Sequence, residues 1–369
     1  MAQMHQTLPD PRQYYPEVAL TNMLIHNAQS ALAATTDADR ELWYCAMRDS
    51  MVEMLGRDEL LSISVALAMV PSQEVYKQVW AGLRDAVENP AGRHAVVFAI
   101  PLVLVAGSKN QATLPDAIAD EQGLNALLRE HGVVAANAQV HVSGRLLHPD
   151  SIVAMDSGKL FRWTRELADV QAGLPVPLEA SAVTVKEEGV FLRYLLGVAM
   201  QEEGADAPVK LGGSVGAWGM PLMKFLGEQL HTDGVTLFPI ARPPMPVMQA
   251  MVAGNFARFE VALQVFASAQ IRRLRELGKD PVAIMSAHDN GELHVTLSAE
   301  GDERNWEAFV WPLAALDNVA LIETNFRELM AECQVRDVYV LPEVYPELRD
   351  DIPLFFTAND LSGGRATLQ

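Results

Sequence analysis

The pentapeptide Gly212-Gly213-Ser214-Val215-Gly216 fits the G-x-S-x-G pattern of a nucleophile elbow. In such an elbow small flanking residues let a serine stand on a tight strand-to-helix turn with its hydroxyl exposed. The serine attacks an acyl carbon when a histidine takes its proton and an acid orients that histidine. His231, His288 and His294 all follow the motif, and Asp233 precedes the last two. Ser214, Asp233 and His288 therefore supply a catalytic set in the order Ser, Asp, His. Val209-Lys210-Leu211 can end a strand and Met220 to Leu230 can form the next helix, but Pro221 interrupts its start. No HGGG-type oxyanion segment precedes the serine, and a glycine-rich turn or hinge is the plainer reading.

Gly212, Gly213 and Gly216 could instead hold a small ligand, cradling a phosphate through backbone N–H groups. Neither a P-loop ending nor a GxGxxG with its ribose-binding acid accompanies them. The histidines raise metal binding. Asp289-Asn290-Gly291-Glu292 reads as a hairpin turn centred on Asn290-Gly291. A two-residue turn sets His288 against Leu293 and His294 against Ala287, so strand alternation sends the imidazoles to opposite faces. A three-residue loop would pair them. His141 and His148 have no carboxylate or cysteine at ligand spacing. No metal and no cofactor is expected.

Met220, Met223, Met245, Met248 and Met251 gather near the start of a long helical stretch. An exposed methionine cluster makes an adaptable partner groove, and a buried one fills a core. Arg272, Arg273 and Arg275 stand near the C-terminal end of that helix, where positive charge complements the dipole.

The elements that must position these residues read as mixed α/β. The first ninety residues are helical. Trp43, Met47, Met51 and Met54 recur at helical spacing behind Asp37 and Asp39, and Val75, Val79, Leu83 and Val87 repeat the pattern behind Ser72. Leu60 to Val70 is apolar nearly all round, as in a buried helix. Ala95 to Ala106 reads as a strand buried on both faces. Ile152 to Met155 and Lys159 to Trp163, joined by Asp156-Ser157-Gly158, suggest a hairpin. Gly173-Leu174-Pro175-Val176-Pro177 is the best linker, and the residues from about Asn359 read as a loose tail.

A strand–helix–strand unit recurs. Phe98-Ala99-Ile100-Pro101-Leu102 is echoed by Phe309-Val310-Trp311-Pro312-Leu313 and more faintly by Leu237-Phe238-Pro239-Ile240. Each is followed by a helix with an Arg-Glu pair and a second strand, the proline being expected to end the first strand. The expected architecture is a mixed α/β fold: an N-terminal helical region at 1–92, then two related strand–helix–strand modules with mixed sheets at 93–175 and 176–369.

Composition bounds the function. Half the 369 residues are hydrophobic and a fifth charged, with 47 acidic against 28 basic side chains and a net charge of −19. That excludes a disordered chain and argues against binding nucleic acid or anionic membrane. Two cysteines, Cys45 and Cys333, are too few for a disulfide scaffold. The N-terminus lacks a basic and apolar leader pattern and no apolar run spans a membrane, so a cytoplasmic protein without membrane insertion is expected. The leading expectation is a non-catalytic adaptor, assembly or regulatory protein that binds other proteins, with homo-oligomerisation as one form. The alternatives are a serine hydrolase using Ser214 and a small-molecule binder using the same glycine-rich turn.

Overall fold

The computed structural model describes residues 16–88, 94–107, 112–153, 156–169, 184–185, 188–201, 209, 215–346 and 354–364. The chain divides into two compact units, Met1–Gly254 and Asn255–Gln369.

The first unit begins with four helices: α1 (Pro16–Ala33), α2 (Asp37–Gly56), α3 (Leu60–Met69) and α4 (Gln73–Glu88). Thr36 caps α2 by accepting the Asp39 N–H, and Asp37 and Asp39 sit in its first turn, where the dipole favours negative charge. The predicted stripes are the buried ones: Met47, Met51 and Met54 on α2, and Val75, Val79, Leu83 and Val87 on α4. Helix α3 departs from expectation. Ser62, Ile63 and Ala66 face inward, but Leu61 and Met69 are exposed, so this largely apolar helix is buried on one side only.

Next come β1 (His94–Ala106), β2 (Ala112–Thr113), α5 (Glu121–Glu130), β3 (Gln139–Leu147), α6 (Pro149–Val153) and α7 (Ser157–Asp169). They are followed by β4 (Thr184–Val185), β5 (Gly189–Gln201), α8 (Val215–Gln229), β6 (Val235–Leu237) and β7 (Met245–Pro246). The main sheet runs β3-β5-β1-β6, with β7 also on β1, and every pairing is antiparallel. Strand β1 is apolar throughout because both its faces are covered. Phe98, Ile100 and Leu102 enter a core with Leu124 and Leu128 of α5 and Trp218, Leu222 and Leu226 of α8. Each such side chain, fully buried, contributes roughly 1.5–3 kcal/mol of transfer free energy.

Pro101 does not end β1, which runs on to Ala106. Val103 accepts the Phe238 N–H, so odd-numbered residues of β1 turn their polar backbone atoms toward β6 and β7. Pro101 lies between the β7 partners at 98–99 and the β6 partners at 104–106, where the ladder asks for no donor. The expected hairpin at 152–163 is helical instead. Asp156 accepts the Lys159 N–H at 2.7 Å, so Asp156-Ser157-Gly158 starts α7 as a cap rather than closing a turn. The predicted linker at 173–177 lies outside the described residues.

Helix α9 (Val247–Glu276) runs from the first unit into the second. The second unit continues with β8 (Val282–His288), β9 (Glu292–Ala299), β10 (Asp302–Pro312), α10 (Val319–Glu332), β11 (Asp337–Tyr345) and α11 (Ala358–Gly364). Its sheet is ordered β10-β9-β8-β11, antiparallel except for β11 on β8, and is therefore mixed. One face packs Ala283, Met285, Leu293, Val295, Leu297 and Trp311 against Leu263, Ala267 and Ile271 of α9 and Ile322, Phe326 and Met330 of α10. The loose tail expected from Asn359 is helix α11 as far as Gly364.

The fold is thus mixed α/β, with helices followed by two sheets. The recurrence has a topological counterpart. Strands β1 and β3, joined by α5, are parallel with β5 between them; β10 and β11, joined by α10, are parallel with β9 and β8 between them. The faint middle copy fails as a unit, because β6 and β8 belong to different sheets. Among the described residues no helix is long and apolar enough to cross a membrane.

Candidate functional site

Register decides which polar side chains meet on the β8–β9 hairpin. Ser286 pairs with His294 and Ala287 with Leu293, leaving 289–291 as a three-residue turn. Gly291 takes φ +80 and donates its N–H to the His288 carbonyl, while Asn290 Oδ1 accepts the Glu292 N–H. Glycine adopts that left-handed conformation without a Cβ penalty. The turn therefore differs from the two-residue form, and the conditional three-residue outcome holds: His288 and His294 share a face.

Alternation sends Met285, Leu293 and Val295 into the core and leaves Ser286, His288, Glu292, His294, Thr296 and Ser298 on the other face. Such a face ordinarily meets water. Here Ser286, His288, His294, Thr296 and Ser298 are all buried, none more than 4 % exposed. Residues 354–361 cover them. The Leu354 carbonyl sits 2.9 Å from His294 Nδ1, and Ala358 N–H donates to Ser298 Oγ at 2.9 Å. Phe355 lies against His294 and Trp306, and Phe356 against Tyr345.

The rings of His288 and His294 are stacked, centroids 3.8 Å apart. His288 Nε2 lies 2.8 Å from Ser286 Oγ, and His294 Nε2 lies 3.0 Å from Glu292 Oε2. The His294 hydrogen bond, helped by that from Asn290, holds the Glu292 carboxyl below its ordinary value. The Leu354 carbonyl only accepts, so His294 donates to it from Nδ1.

The two imidazoles direct their Nε2 atoms to different partners and do not converge on an ion. Among the described residues no group of His, Cys, Asp or Glu side chains has the form of a metal site. What the cluster can do is tie the Glu292 carboxylate to a covering backbone carbonyl through one imidazole. Beside it stands a serine–histidine hydrogen bond sealed from solvent.

Of the residues singled out from sequence, Gly212, Gly213 and Ser214 lie outside the described residues. Gly216 is the second residue of α8, exposed. Asp233 is an exposed turn residue of the first unit, and His288 belongs to the second. Met223 and Met245 are buried, Met248 and Met251 half-buried and Met220 exposed, so the methionines do not form one exposed cluster. Arg275 donates to the carbonyls of Cys333 and Gln334 at the end of α10, and Arg273 pairs with Glu307. Sequence reasoning missed Ser286, Glu292 and the joint role of His294. The available signal was the even spacing of polar residues at 286, 288, 292, 294, 296 and 298, conditional on an odd-length turn.

No protein-family model, curated protein or solved structure matches this chain.

Proposed function

We propose that this is a non-catalytic, cytoplasmic protein-binding protein, an adaptor, assembly or regulatory factor whose partners are other proteins rather than nucleic acid. The observation that supports this is the outer face of α3. A helix that is hydrophobic all round is stable in water only when something covers it. Leu61 and Met69, two turns apart, are 64 % and 65 % exposed. Leu42 of α2 and Leu32 of α1 add exposed apolar surface on two of the helices that pack with α3. Apolar surface grouped in this way marks interaction sites.

The test compares the full chain with a Leu61→Asp/Met69→Asp variant by light scattering and by cross-linking at native abundance. A defined assembly formed by the wild type and lost in a variant with unchanged melting supports the reading. A wild type that stays monomeric and unpartnered, with the variant indistinguishable from it, overturns it.

A further inference from the structure

We propose that Arg193, on the face of β5 that packs toward α5 and α8, anchors a binding site for a small apolar molecule carrying one carboxylate. The site lies beside the end of β3 and is walled by Leu102, Leu104, Phe191 and Leu195. It shares no residue with the α3 face or with the glycine-rich turn and is independent of both.

Three observations carry it. Arg193 is 4 % exposed, and its guanidinium makes one hydrogen bond, from Nη1 to the Leu192 carbonyl at 2.8 Å. A guanidinium has five N–H donors. Among the described residues no carboxylate pairs with this one, and burial alone holds it below its ordinary value. A buried charge without a counter-ion destabilises a fold, so a chain that keeps one has a use for the anion it does not supply. Second, the ladder stops beside it. Arg193 pairs with Leu102, whose backbone groups face β5, so the polar backbone atoms of Leu192 face the β3 side. The last β3 pair is Leu147 with Tyr194 and α6 begins at Pro149, so β3 offers Leu192 no partner and Arg193 turns to its carbonyl there. Asp150, the acid nearest that point along the chain, is 90 % exposed and turned to His148. Third, the walls are apolar. Residues directly opposite share a face of the sheet, which sets Leu102 beside Arg193, with Phe191 and Leu195 two residues away on β5. Leu102 and Leu195 belong to the core under α5 and α8, and Leu104 with Phe191 to a second apolar cluster.

These groups fix the chemistry of the ligand. The planar fork of a guanidinium matches a carboxylate through two parallel N–H···O bonds. One buried cation balances one negative charge. A phosphate monoester carries about −1.5 to −2 near neutrality, and would leave charge unbalanced among apolar side chains, which is costly. A carboxylate leaves none, and an apolar remainder meets leucine and phenylalanine instead of water.

The test melts the full chain in hexanoate or para-bromobenzoate against chloride at equal ionic strength, with phosphate and hexanol as separate charge and apolar controls. Both carboxylates are expected to raise the wild-type melting temperature progressively with concentration, and both controls to leave it where chloride does. Without ligand, Arg193→Met should melt at or above the wild type, because it removes a buried charge that nothing balances. By calorimetric titration its affinity for either carboxylate should fall roughly tenfold or more. Arg193→Lys keeps the charge but loses the fork, and should fall between the two. A wild type indifferent to both carboxylates overturns the proposal. So does a response to phosphate or hexanol that equals theirs, or an Arg193→Met variant that titrates like the wild type. Should Arg193→Met melt lower or fail to fold, a crystal of the wild type grown with para-bromobenzoate decides. Bromine anomalous density beside Arg193 supports the site; density elsewhere, or none, overturns it.

Discussion

Glu88, the last residue of α4, accepts the backbone N–H of Met248 through Oε1 at 2.6 Å and so caps the first turn of α9. The carboxyl is 5 % exposed, and its Oε2 has no hydrogen-bond partner among the described residues. Burial pushes it from an ordinary value of 4.5 up to about 8, against the opposing pull of the Met248 N–H and the Arg84 guanidinium.

That shift predicts how stability depends on pH. Between about 4.5 and about 8 the folded chain keeps a proton that the unfolded chain releases. Stability is therefore greatest below the unfolded value and falls as pH rises through this window, by at most about 1.4 kcal/mol per pH unit from this group. Glu88→Gln keeps an acceptor for Met248 and has no proton to lose. It is expected to be more stable than the wild type near pH 8 and to have a shallower slope. Urea unfolding across the window checks this, and parallel pH profiles for the two proteins would refute it.

Gly254 is the second test, this time of packing. A Cβ built there would lie 2.7 Å from Tyr194 Oη and 2.9 Å from Pro101 Cβ. The helix approaches β1 and β5 closely enough for Tyr194 Oη to reach the Met251 carbonyl. Gly254→Ala should destabilise the chain by about 1–3 kcal/mol through overpacking, despite alanine's better helix propensity. Thermal melting reads the effect, and a stabilised variant would show that α9 can move away.

The start of α7 gives a smaller, local effect. Removing the Asp156 carboxylate leaves the Lys159 N–H without its acceptor. Asp156→Ala should cost about 0.5–2 kcal/mol, and Asp156→Asn much less, because either carbonyl-bearing side chain can cap.

That segment shows where sequence reading succeeds and stops. Valine and methionine stripes on α2 and α4 were legible because helical periodicity repeats over several turns. Asp156-Ser157-Gly158 was not, since the same residue types serve a cap and a turn, and only tertiary contacts choose between them. Pro101 misled for a related reason: a missing donor stops a strand only where a neighbour needs that donor. The His288–His294 pair turned on a single residue of loop length. Side-chain alternation has a period of two, so that one residue decides whether the imidazoles touch. The covered polar face could not be read at all, because its cover begins some fifty residues beyond β9.

The last prediction concerns chemistry at the two serines. Ser286 has a histidine at hydrogen-bond distance but is only 2 % exposed. A nucleophile must meet its substrate, so a folded chain should not react there. On the proposed binding function, the wild type is expected to remain unlabelled by a fluorophosphonate probe. Labelling lost in Ser214→Ala would replace that reading with a hydrolase built on the G-x-S-x-G turn. Labelling that appears only with Phe355→Asp/Phe356→Asp and disappears with Ser286→Ala would identify Ser286 as the reactive serine. The pattern over these variants thus separates a binding protein from either hydrolase in one gel.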